Sequence, residues 1–141
     1  KELNVSINFV DSMGRGVLYL SVLKKDKECL EELLKAKADP NLFDCFGVTP
    51  LHKASLLGYA DIVQLLLAYD ANPHALDSSD ETPLHNAALH GRWKCMKALL
   101  QAKSNVYART GLGETPWDLL QKGGHNLCSQ KLVKWIRENS Y

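Results

Sequence analysis

Five histidines and four cysteines are the side chains with which this chain of 141 residues would hold a metal or act as a nucleophile. Both kinds of chemistry demand particular spacings. A zinc protease places two histidines one helical turn apart around a glutamate, and a zinc finger places its Cys and His ligands in closely spaced pairs. Neither pattern occurs, and Cys29, Cys45, Cys95 and Cys128 include no CxxC. A Cys–His nucleophile further needs a water-excluding pocket and a third group that orients the base. Nothing in the spacing of His74, His90 and His125 brings them together. Gly111-Leu112-Gly113 lacks the GxxxxGK[ST] spacing and the preceding strand of a phosphate loop. These residues predict no catalytic activity, no metal site and no cofactor.

Composition points the same way. Hydrophobic residues make up 45% of the chain, charged residues 23%, and the net charge is +1, a profile without bias toward nucleic acid or membranes. The longest apolar stretches, such as Leu65-Leu66-Leu67-Ala68, are far too short to span a bilayer. The opening Lys1-Glu2-Leu3-Asn4 has no signal-peptide core and no initiator Met, so the chain reads as a fragment or processed product. An even cysteine count would allow two disulfides in a secreted protein. A core sufficient without them points instead to a reducing intracellular setting, cytoplasmic or nuclear, and to a monomer.

What must position these side chains is a repeat. Thr49-Pro50-Leu51-His52 recurs as Thr82-Pro83-Leu84-His85 and as Thr115-Pro116-Trp117-Asp118, 33 residues apart each time. Asp11-Ser12-Met13-Gly14 matches Asp44-Cys45-Phe46-Gly47, which sets a first, weaker unit in frame. The units are 11–43, 44–76, 77–109 and 110–141. In the second, Thr49 is placed to cap a helix that opens on Pro50 and stops at Gly58. A second helix follows Asp61 with a broad apolar stripe of Ile62, Val63, Leu65, Leu66 and Leu67. Asp70-Ala71-Asn72-Pro73 breaks it. Helices this short are not stable alone, so each unit must bury its stripe on its neighbours.

A 33-residue period with TPLH openings, a turn and two helices resembles the ankyrin-repeat family. The resemblance covers nearly all of the chain and implies an all-α solenoid of helix-turn-helix units joined by β-hairpin loops. It implies that His52 and His85 bridge backbone groups between units. It also implies a protein-interaction module that binds partners through hairpin tips and the concave face. The alternative is a substrate-recognition or regulatory segment of a larger protein, such as a ubiquitin-ligase adaptor or a kinase. Residues 1–10 read as the tail of a preceding repeat, and 110–141 as a C-terminal cap with a polar outer face. The resemblance further makes Asn41, with Leu33 eight residues upstream, a candidate for asparaginyl hydroxylation.

Family-variable positions give the partner-binding candidates. In unit 44–76 all five are apolar: Cys45, Phe46, Val48, Leu56 and Leu57. With Met13, Leu23 and Leu89 they predict one contiguous apolar patch, with Phe46, Val48 and Leu57 as its anchors. For Leu23, Leu56 and Leu89 the competing reading is packing between units. Glu81, His90 and Leu112 complete the set, and the acids of the 77–109 tip favour a locally basic partner. Cys29, Cys95 and Cys128 share one place in the second helix and are read as small core residues; Cys45 falls on a tip. Trp93 is either exposed or packed under its neighbour. The bases of 77–109 offer nucleic acid no basic–aromatic groove.

Overall fold

A computed structural model describes residues 7–139, and within them the chain folds into four successive helix pairs. One layer holds the first helix of each pair: α1 (Val17–Leu23), α3 (Pro50–Leu57), α5 (Pro83–Leu89) and α7 (Pro116–Lys122). The other holds α2 (Lys27–Lys35), α4 (Ala60–Ala68), α6 (Trp93–Gln101) and α8 (Asn126–Asn139). Within the first layer α1 packs on α3, α3 on α5 and α5 on α7; in the second, α4 packs on α6. The core is a single sheet of aliphatic side chains between the layers, including Leu18, Leu51, Leu84, Leu66, Leu99 and Leu132. Residues 1–6 of the expected N-terminal tail lie outside the described residues. Within that tail, Asn8 Oδ1 accepts the Asp39 N–H at 2.8 Å, and Asn41 Oδ1 accepts the Asn72 N–H at 2.7 Å, the same bond one unit later.

The Thr-Pro openings act as the sequence predicts. Thr49, Thr82 and Thr115 each accept the backbone N–H three residues on. The side chain at that third place returns the favour: His52 Nδ1 accepts the Thr49 N–H at 3.1 Å, His85 Nδ1 the Thr82 N–H at 3.1 Å, and Asp118 Oδ2 the Thr115 N–H at 2.9 Å. Because Nδ1 accepts, Nε2 carries the imidazole proton and is free to donate. It does so across the unit boundary, from His52 to Glu81 O at 2.8 Å. His85 reaches Ala108 O at 2.9 Å and Glu114 O at 3.1 Å. Burial holds both imidazoles below their ordinary pKa, which preserves the neutral form these bonds require.

Unit one departs from this plan at both places. Gly16 supplies no side-chain cap to α1. Tyr19, where the histidine would stand, has its hydroxyl close to the Asp44 carboxylate of the next loop. Burial and then that contact raise the phenol well above its ordinary pKa.

The first helices stop on left-handed residues, Gly58 at φ 81° and Gly91 at φ 64°. The side chain that follows in the next unit's equivalent turn lies back over this stop. Arg92 Nε donates to Leu56 O at 3.1 Å, and His125 Nε2 to Leu89 O at 3.0 Å. Among second helices, those of the first three units turn out through Lys37, Asp70 and Lys103, all at positive φ. The fourth continues: α8 has 14 residues against 9 in α4, whose unit carries Asn72-Pro73 where the fourth has Glu138-Asn139.

Two expectations need correction. The hairpins are not strand pairs; among the described residues the only β feature is an isolated bridge between Val10 and Gly16. Each loop is too short for a ladder and closes instead as a side-chain-held turn. Cys29 is exposed, whereas Cys95 and Cys128 are buried. That position packs backwards, as the Cys128 thiol donating to Gly91 O at 3.1 Å illustrates, and no earlier helix pair covers Cys29 among the described residues.

Candidate protein-binding surface

Each loop tip is built by its first residue. Asp44 Oδ1 accepts the Phe46 N–H at 2.8 Å and the Val48 N–H at 3.0 Å. Asp11 does the same for Met13 and Arg15, and Asp77 for Ser79 and Glu81. Thr110 substitutes its hydroxyl toward Leu112 and Glu114. Short Asp side chains favour such turns because they mimic a backbone acceptor. Gly47 completes the second turn at φ 76°, where an added Cβ would stand 3.0 Å from Asp77 Cα, so both its conformation and its contact require glycine.

Neighbouring tips are then laced together. Cys45 N–H donates to Met13 O, Ser78 N–H to Phe46 O and Gly111 N–H to Ser79 O, at 2.9, 2.9 and 3.0 Å. The loops thus form a continuous hydrogen-bonded edge rather than independent fingers.

Along that edge large apolar side chains face solvent. Met13, Phe46 and Leu112 are exposed, Phe46 at 58% and Leu112 at 84%. Cys45 is exposed and Val48 half-buried. Two more exposed residues lie just before the turn aspartates: Phe43, at 64%, and Leu76. Sequence reasoning passed over both, since that loop position counts neither as a helix stripe nor among the variable tip positions. The only signal was an aromatic residue directly ahead of Asp44, flanking the turn opposite Phe46.

The expected single patch divides in two. Leu57 ends α3 while Phe46 precedes its start, and the helix alone separates these ends by about 10 Å at 1.5 Å per residue. Lys53 lies between them, its ammonium 6.0 Å from the Tyr19 ring centre. At the far end Leu23 and His90 are exposed, and Leu56, Leu57 and Leu89 half-buried. Leu89 packs against the core, in line with the packing alternative. Leu56 and Leu89 also give their carbonyls to Arg92 and His125, so this end serves stacking of the units.

Charge varies along the edge. Partial burial first, and then Asp77 and Glu114, raise the Glu81 carboxyl above its usual range. Asp80 is exposed beside them. Glu114 holds Lys122 Nζ at 3.1 Å. Asn41 is exposed but engaged on both sides, accepting from Asn72 and donating from Nδ2 to Asp70 O at 3.3 Å.

Trp93 is half-buried and packed against the core. Among the described residues no group of three or more His, Cys, Asp or Glu side chains is placed to hold a metal ion. Nor is any helix there long and apolar enough to cross a membrane.

A family model described as ankyrin repeats (3 copies) matches residues 18–110. That span runs from α1 to the loop before α7. No curated protein matches the chain.

Proposed function

We propose that this chain, which belongs to the ankyrin-repeat family, binds a protein partner along its laced tips, with unit 44–76 at the centre. Ankyrin repeats are generally protein–protein interaction modules, typically without catalysis. The carrying observation is the exposure of Met13, Phe43, Phe46, Leu76 and Leu112 on one edge. Apolar surface of that extent stays in water at a cost unless a partner covers it. The lacing bonds hold the edge in place beforehand, so a partner orders little on binding. Glu81, Asp80 and Asp77 next to the apolar centre select a partner with basic residues at that point. The helix-end residues Leu23, Leu56, Leu57, Leu89 and His90 form a secondary contact, reached only by a partner long enough to span the first helices.

The test is quantitative capture of partners from cell extract by the wild-type chain against Phe43→Glu/Phe46→Glu and Leu57→Glu variants. All three proteins should unfold at similar temperatures, because these side chains are outside the core. Losing a true anchor costs about 2 kcal/mol, or about thirty-fold in affinity. A specific partner that ignores the Phe43→Glu/Phe46→Glu exchange refutes the tip as the binding site. A partner lost only with Leu57→Glu moves the site to the helix ends.

A further inference from the structure

In the layer of second helices, α6 and α8 enclose a groove. Its walls and floor are Trp93, Lys97, Lys131, Lys134, Trp135 and Glu138, around an open volume of about 280 Å³. α4 packs closely on α6, but α6 and α8 make no comparable approach. Two tryptophans lie where small residues would let the helices close, and Trp135 lies on the part of α8 that runs past the length of α6. Both indoles are half-buried against the core. The Trp135 indole N–H is itself buried and without an acceptor.

The charge lining this groove is mainly positive, Lys97, Lys131 and Lys134 against Glu138. α6 carries Lys94 and Lys97 with no acid, and α8 carries Lys131, Lys134 and Arg137 against the single Glu138. All five cations are exposed. Lys131 and Lys134, both lining the groove, stand about one turn apart on α8 with a rise of about 4.5 Å between them. The same face of α2 and α4 has the opposite sign, with Glu28, Glu31, Glu32 and Asp61 outweighing Lys27 and Lys35. The positive field is therefore local, although the whole chain is nearly neutral.

We infer that the α6–α8 groove is a second docking site, taking an acidic segment of a partner protein with an apolar side chain seated between Trp93 and Trp135. The apolar floor needs an apolar anchor, and the lysine walls need carboxylates on either side of it. The unpaired Trp135 N–H adds a hydrogen-bond donor that a carboxylate at the floor would satisfy. Nucleic acid is disfavoured because base stacking needs free ring faces, and these rings are half-buried. The site is independent of the tips: it draws on different helices, faces and charges.

The probe is a fluorescein-labelled peptide of Glu and Asp with a central Leu-Phe pair, titrated by anisotropy while tryptophan emission is followed. Wild type should bind it and shift its tryptophan emission. Lys131→Glu/Lys134→Glu, altered only at exposed helix positions, should lose at least about tenfold in affinity, as should Lys97→Glu, with unfolding unchanged. Phe46→Glu, which disables the tip, should bind the peptide normally. Four results would overturn the inference. The first is no binding of the peptide by wild type, and the second is equal binding when the Leu-Phe pair is replaced by Ser-Ser, which leaves mere charge attraction. The third is Lys131/Lys134-dependent binding of a single-stranded RNA or of a vesicle rich in anionic lipid where the peptide does not bind. A solution mass of two chains that falls to one in the Lys131→Glu/Lys134→Glu variant would assign the groove to a second copy.

Discussion

Replacing His85 by Ala should cost the protein far more than replacing Asp118, although both occupy the same place in their units. His85 is fully buried and makes three kinds of contribution. Its Nδ1 accepts the Thr82 N–H, a helix-capping bond whose loss costs about 1 kcal/mol. Its Nε2 donates to Ala108 O and Glu114 O across the unit boundary, and leaving those half-buried carbonyls without a donor costs about 1 kcal/mol more. The space left by the ring adds about 1–2 kcal/mol. The sum is about 3–4 kcal/mol, or a fall in Tm of about 10 °C for a chain of this size. Asp118 is exposed and makes only the cap bond to Thr115, so Asp118→Ala should lose much less than half as much. His85→Asn separates the terms, since its Oδ1 can still cap Thr82 but cannot reach the next loop; it should fall between the two. Urea unfolding followed by circular dichroism reads all three. If His85→Ala proves no worse than Asp118→Ala, or His85→Asn matches wild type, the bridge contributes nothing and the reasoning is wrong.

Stability should fall on mild acidification. His52 and His85 have folded pKa values held below the unfolded value of about 6.5, so their contribution is full above that pH and is lost as pH drops through it; a melting series across this window should steepen in wild type and flatten in His85→Asn. Gly47→Ala should destabilise more than Gly113→Ala. Both sit at positive φ and pay about 1 kcal/mol for it, but only at Gly47 does the new methyl meet backbone, and equal losses in thermal melts would contradict that contact. Cys29 and Cys45 should react with a maleimide in the native protein, while Cys95, whose thiol is pushed up to about 11 by burial, and Cys128, whose thiol burial also raises, should resist until unfolding; mass spectrometry of the labelled chain would show it.

What the sequence made legible is what repeats. The caps of Thr49 and Thr82, the bridging histidines, the turn aspartates and the left-handed stop at Gly58 recur at fixed intervals because each solves the same local problem in every unit. What escaped is what occurs once. Tyr19 is absent from the TPLH pattern, yet its longer side chain carries a hydroxyl to the next loop from the place of the histidine. Phe43 and Leu76 lie in loops, where neither helical nor strand periodicity tells an inward residue from an outward one. Trp93 and Trp135 stand at different places in different units, so no comparison in steps of 33 would pair them. Leu57 was grouped with Phe46 because both are variable positions of one unit, but a one-dimensional frame hides the helix length between them. Cys29 shares its frame position with Cys95 and differs only in having no described neighbour before it.

The tip of unit 44–76 is held more firmly than its position alone would require, and this bears on why binding would centre there. Asp44 is almost fully buried, and its carboxylate gathers the Phe46 and Val48 N–H groups with the Tyr19 hydroxyl close by. The same loop donates from Cys45 N to the tip before it and accepts at Phe46 O from the tip after it. On the far side, His52 ties α3 to Glu81 O of the following loop. Phe43 and Phe46 therefore project from a turn fixed by its own aspartate, by unit one and by unit three. Aromatic anchors contribute most to affinity when they need not be ordered on binding. Tyr19, which no partner need touch, becomes a residue through which the first unit stiffens the binding edge of the second. A histidine in its place would instead repeat the bridge that His52 makes to the backbone of the following loop, so the tyrosine exchanges one inter-unit restraint for another.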